Sequence, residues 1–202
     1  MRYFTRELWS GAQGTDDGDD NNRLWNLAFK EYREQLEALR SRLDNDAFEF
    51  FSSADIHDGE LLNVQIVDGS RPAPISEPAR PWGISNQYPV RVEVSILDAY
   101  DKLVWDLTYS GLRRVVIDYP SADPLFYFSG EGFGDLGYHE LTDAGQNYLR
   151  HEVLFATGAT LLFEFQAVRV TSRQRPWDLA QLEVRSSTPS TLTLSVVDAA
   201  KD

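Results

Sequence analysis

A change of hydrophobic period partway along the chain leaves few folds open to it. Trp25, Phe29, Tyr32, Leu36, Leu39 and Leu43 recur at steps of four and three, which places all six on one stripe of an α-helix. From Glu60 the repeat is two: Leu62, Val64 and Ile66 alternate with Asn63 and Gln65, the pattern of a strand with one buried face. A striped helix must lay its apolar side on something, and alternating strands offer one apolar face each. The expected fold is therefore α+β, one long N-terminal amphipathic helix packed on a mainly antiparallel β-sheet. The 202 residues suit a single domain, helical over 1–52 and sheet over 60–198.

Turn chemistry fixes the pairing of the strands. Val90, Val92, Val94 and Ile96 alternate with Arg91, Glu93 and Ser95, Tyr100-Asp101-Lys102 turns the chain, and Leu103, Trp105, Leu107 and Tyr109 alternate back, which predicts a hairpin. A strand over Leu112 to Tyr119 follows. Leu149 to Phe155 and Leu161 to Val170 flank Thr157-Gly158-Ala159 and predict a second hairpin. In its later strand the apolar parity slips between Phe165 and Val168, which a β-bulge near Gln166 explains. Thr191 to Val197 reads as the last strand.

The remaining segments are helical pieces and connections. Asp46 to Ser52 predicts a short helix, and Met1 to Leu8 a short strand or a turn of helix. Gly11 to Asn22 reads as a polar connector in which Asp19, Asp20, Asn21 and Asn22 cap the long helix. Ser70 to Pro89, with five prolines, reads as an irregular connection, and Asp123 to Gly137 as a glycine- and aromatic-rich loop.

Charge and composition exclude several classes. The 32 acidic against 19 basic residues give a net charge of −13, a field that repels nucleic-acid phosphates and anionic lipid and suits a basic partner. Zero Cys removes disulfides, thiolate catalysis and cysteine-ligated metal together. No apolar run has the length of a membrane span or of a secretory leader, so the expected location is the cytoplasm, with no membrane partner.

The candidates for chemistry are few. Gly132-Phe133-Gly134-Asp135-Leu136-Gly137 has the glycine spacing of a dinucleotide-binding turn. Glu131 and Asp135 would repel a pyrophosphate there, and no apolar helix follows, so no cofactor is expected. Neither Ser110-Gly111 nor Ser129-Gly130 sits in a nucleophile elbow. The acids near Asp16 to Asp20 fit no calcium-loop register, and no metal site is expected. His57, His139 and His151, each close to a carboxylate in sequence, could form an acid–base or metal site only if the fold brings them together.

Three strings carry a family resemblance. Met1-Arg2-Tyr3-Phe4-Thr5-Arg6-Glu7-Leu8-Trp9, His57-Asp58-Gly59-Glu60-Leu61-Leu62 and His151-Glu152-Val153-Leu154-Phe155 with the following Leu161 to Val170 resemble an uncharacterised family of small bacterial cytoplasmic proteins. The segment Ser70 to Pro89 departs from that pattern. Such proteins are similar to immunity proteins of bacterial toxin systems, which are small, acidic, α+β and without catalytic residues. The resemblance implies a non-enzymatic interaction protein whose acidic face binds a basic toxin domain, and it brings no active-site residues with it. The binding residues expected on polar strand positions and turns are Glu93, Asp98, Asp101 and Asp106. The opposing expectations are a small hydrolase or metal-dependent enzyme built on His57, His139 and His151, and an assembly or phage-related structural component.

Overall fold

The structure, a computed structural model, describes residues 1–13, 18–68, 90–119 and 132–175. Among these residues three helices, α1 (Arg6–Gln13), α2 (Gly18–Ala38) and α3 (Asn45–Ser53), precede eight strands. The first four are β1 (Glu60–Asp68), β2 (Val90–Leu97), β3 (Leu103–Ser110) and β4 (Arg114–Asp118). The last four are β5 (Leu136–Gly145), β6 (Tyr148–Phe155), β7 (Thr160–Phe165) and β8 (Ala167–Gln174). The expected strand at Thr191 to Val197 and the connection Ser70 to Pro89 lie outside the described residues.

The fold is α+β, but the expectation of one long helix on one sheet is corrected. Among the described residues there are two four-stranded antiparallel sheets, ordered β1-β2-β3-β8 and β4-β7-β6-β5. The parity slip at Gln166 marks the corner between them: β7 ends at Phe165 in one sheet and β8 begins at Ala167 in the other. The opposite strand turns with it, since Gln166 N donates to Ser110 O at 3.0 Å and Arg113 N to Glu164 O at 2.8 Å. The antiparallel ribbon β3–β8 thus runs on into β4–β7 around a bend, a usual way for strands to pass between stacked sheets. On the other side Gly59 and Leu136 form a bridge, with Leu136 N donating to Gly59 O at 2.8 Å, so β1 meets β5 and the sheets join along two seams.

β5 lies where the sequence reads as loop and uncommitted chain. Its inner positions, His139 and Leu141, and outer positions, Tyr138, Glu140 and Thr142, put polar groups on both faces, so no apolar alternation announces it. The helical half is corrected as well. The apolar stripe of α2 ends with the helix at Ala38, a 3-10 turn follows at Arg40–Arg42, and α1 occupies part of the expected polar connector. Residues 19–22, read as caps, fall inside the first turns of α2.

Each helix is set by local chemistry and then by packing. Thr5 Oγ1 accepts from Leu8 N at 3.2 Å and starts α1. Asp44 Oδ1 accepts from Ala47 N at 2.7 Å and caps α3. Replacing Asp44 by Ala should cost about 1 kcal/mol, read as a lowered urea midpoint at an unchanged m-value. Trp25, Phe29 and Tyr32 of α2 meet Phe4 and Tyr138 in tilted and edge-on ring contacts 4.7–6.4 Å apart. Phe50 of α3 touches Trp105 of one sheet and His139 of the other, at ring separations of 5.4 and 5.2 Å. α3 is therefore a wedge between the sheets, with Phe50 and Phe51 buried.

The chain start is held by carboxylates on the outer face of the second sheet. Glu140 and Glu152 stand directly opposite one another on β5 and β6, a like-charge pair that is unfavourable by itself. The Glu140 carboxylate accepts from the backbone N–H of Arg2, of Tyr3 at 2.8 Å and of Phe4 at 3.1 Å, and Glu152 takes the Met1 ammonium at 2.9 Å. Four donors from residues 1–4 thus compensate one buried and one partly buried charge and hold Tyr3 and Phe4 in the core.

Candidate functional site at the edge of β5

Beyond the Gly59–Leu136 bridge the edge of β5 is free of strand pairing among the described residues. Gly137 O accepts from Nδ1–H of His57 at 2.6 Å, and Leu141 N donates to the Tyr32 hydroxyl at 3.2 Å. Both groups point away from β6. A strand turns alternate residues to the same side, so the N–H and C=O of His139, between them, face that way too. Among the described residues neither makes a hydrogen bond outside the sheet.

A cleft of about 220 Å³ opens along this edge. Its apolar walls are Phe4, Phe29, Tyr32 and Leu36 on one side and Phe51, Ala54 and Ile56 on the other; His57, Tyr138 and His139 form its floor, and Arg33, Ser52, Ser53 and Asp55 its rim. It suits one ring or one apolar side chain, being smaller than the 300 Å³ or so at which drug-sized pockets begin.

The structure settles how the three histidines relate. His139 Nδ1 and His151 Nε2 are 3.2 Å apart, and His151 Nδ1 lies 2.6 Å from the Tyr109 hydroxyl. His151 is fully buried. His139 is half-buried and faces the cleft. Burial lowers the pKa of His139 to about 4, and burial, then the charge of His139, lowers that of His151 well below the ordinary value; both are neutral at pH 7. His57 stands apart from the pair, its ring 4.6 Å from Tyr138 and its Nε2 3.6 Å from Asp58 Oδ1. Burial, with a smaller effect of the Asp58 charge, raises the pKa of Tyr138. Among the described residues no group of three His, Cys, Asp or Glu is placed to hold a metal ion.

The four acids proposed from sequence lie elsewhere, on β2, β3 and the turn joining them. Each has a partner: Glu93 with Arg91 at 2.6 Å, Asp106 with Ser95 at 2.6 Å and Arg173 at 2.7 Å, Asp101 with Arg175 at 2.8 Å. Asp98 is buried and accepts from Lys102 N at 2.7 Å, closing the turn. Arginines from β2 and from the end of β8 thus meet the acids of this face locally.

The three strings of the family resemblance converge on β5. Trp9 packs edge-on to Tyr138 at 5.5 Å and to His57 at 6.2 Å. The Trp9 ring covers Gly137 so closely that a Cβ there would stand 2.3 Å from it. Glu152 holds Met1. Tyr138, Phe51, Phe4 and Glu140 carry no local sequence signal as site residues, because their roles come from strand edge and helix end meeting in space. No helix among the described residues is long and apolar enough to cross a membrane. Compared with protein families, curated proteins and solved structures, the chain finds no match.

Proposed function

We propose that this protein is a non-enzymatic protein-interaction module that takes an extended segment of a basic partner at the free edge of β5. The observation that carries this reading is the backbone N–H and C=O of His139, which among the described residues stand without partners on the floor of an aromatic cleft. An incoming strand exchanges two hydrogen bonds with His139 and places one apolar side chain in the cleft, the pairing of backbone contact with side-chain pocket that strand addition uses. The net charge of −13 draws a basic chain and speeds the encounter. The partner that fits the resemblance is a basic toxin domain, with this chain as its immunity protein and Glu93, Asp98, Asp101 and Asp106 contributing to the long-range field.

Capture from lysate by the tagged chain and by its Ala54→Phe variant, at low and high salt, tests the reading. Ala54 lines the cleft, and a buried anchor is worth about 2 kcal/mol or more, roughly thirtyfold in affinity. A basic protein retained by the wild type at low salt, and lost from the variant and at high salt, is the expected result. Equal retention by a folded Ala54→Phe chain contradicts it.

A second reading, a small hydrolase or metal-dependent enzyme, draws on one observation: His57 and His139 line the same cleft. It requires that His57→Ala abolish turnover of a screened substrate while the unfolding curve stays in place.

A further inference from the structure

His139 and His151 sit where the second sheet meets α3, and α3 also forms one wall of the cleft. The Phe51 ring is 5.8 Å from that of His139 and 5.0 Å from that of His151, and Phe50 lies 5.2 Å from His139. From the sheets, Tyr109 of β3 and Phe163 of β7 face His151, at 5.9 and 6.4 Å. Tyr109 is the one titratable group among these neighbours, and burial keeps its phenol protonated. No carboxylate or basic side chain occurs among the hydrogen bonds and ring contacts of the pair within the described residues.

The hydrogens along this chain can be assigned from the demand of a buried hydroxyl. The Tyr109 O–H has one acceptor among the described residues, His151 Nδ1, and a buried donor left unmade is costly. Tyr109 therefore donates to His151 Nδ1, His151 Nε2–H donates to His139 Nδ1, and His139 carries its own hydrogen on Nε2. Every ring nitrogen is then either protonated or already accepting. A further proton finds no open lone pair and enters only by breaking the Tyr109–His151 bond or the ring-to-ring bond.

We propose that His139 and His151 are an acid-released latch: protonating the pair unseats α3 from between the two sheets and opens the wall of the cleft that α3 supplies. The closed state excludes the proton and the open state hydrates the rings and accepts it. Opening is therefore linked to proton uptake, and acid favours it in the window between the free imidazole value near 6.5 and about 4. Stability of the α3 seat is fully present above that window and is lost as the pH falls through it. Release of a bound partner in acid rests on the function proposed above; opening of α3 does not.

Amide hydrogen exchange of the full chain between pH 7 and pH 4.5, corrected for the intrinsic pH dependence of exchange, tests the latch. With one proton taken up per opening, the opening equilibrium at Phe50 and Phe51 is flat above about pH 6.5 and below it rises with a slope approaching tenfold per pH unit, while amides of β2 and β3 keep their protection. Tyr109→Phe removes the hydroxyl that occupies His151 Nδ1 and should move the acid midpoint to higher pH. His139→Phe should flatten the response. The latch is overturned if α3 loses protection no faster than the sheet strands, or if Tyr109→Phe leaves the midpoint in place. Should α3 open in acid while a captured partner stays bound, the latch stands and the cleft reading fails.

Discussion

Substituting Glu140 by Ala is expected to destabilise the protein by about 3 kcal/mol or more, the largest effect of any single replacement outside the apolar core. Glu140 is wholly buried and its carboxylate accepts from three consecutive backbone N–H groups. Removing it leaves those donors without a partner, at roughly 1–3 kcal/mol for each that water does not reach. It also frees Tyr3 and Phe4, which are 5% and 2% exposed, to leave the core. Glu140→Gln keeps the shape and one acceptor oxygen but turns an NH2 toward the other donors, so its cost should fall between those of wild type and Glu140→Ala. Urea unfolding of the three chains checks the order. A Glu140→Ala midpoint equal to that of wild type would show that residues 1–4 are not held by this carboxylate.

Gly59→Ala is the second large effect, and it reports on the seam between the sheets. An added Cβ would stand 2.3 Å from the carbonyl oxygen of Leu97 and 2.9 Å from that of Ile56. Both are backbone atoms that no side-chain rotation can move. Relief requires β1 to move away from β2, yet Gly59 N donates to Ile56 O at 3.1 Å and Asp58 N to Leu136 O at 2.8 Å. The seam therefore opens or the strain stays. Overpacking of this kind costs about 3 kcal/mol, and for a chain of this size that lowers Tm by roughly 6–12 °C. A thermal melt of Gly59→Ala within a degree or so of wild type would contradict the close approach.

What the sequence revealed of this fold follows from how strictly each element keeps its period. The stripe Trp25 to Leu36 and the alternation across β2 and β3 are legible because one face is apolar and the other polar, and the hairpin between β6 and β7 because Thr157-Gly158-Ala159 interrupts two apolar runs. The slip at Gln166 was visible as a change of parity, but a bulge within one sheet and a corner between two leave the same trace, and only the pairing of β8 with β3 separates them. β5 was hidden because Glu140 and Tyr138 face the chain start and α2, not solvent or a plain apolar core. For the site, sequence picked out His57 and His139 by residue type and could not say that the two line one cleft. It picked acids by position and could not see the arginines that meet them, since Arg173 and Arg175 lie about seventy residues further along the chain.

The most direct test of the central claim is amide exchange at His139, in the free chain and in the chain bound to the basic partner recovered by low-salt capture. Strand addition at the edge of β5 predicts a His139 amide that exchanges faster than that of its neighbour Glu140 when free and slows at least tenfold on binding, together with the amides of the partner segment. A His139 amide that is already as protected as Glu140 in the free chain, or one that keeps its rate in the complex, would show that the edge of β5 is not where this protein binds.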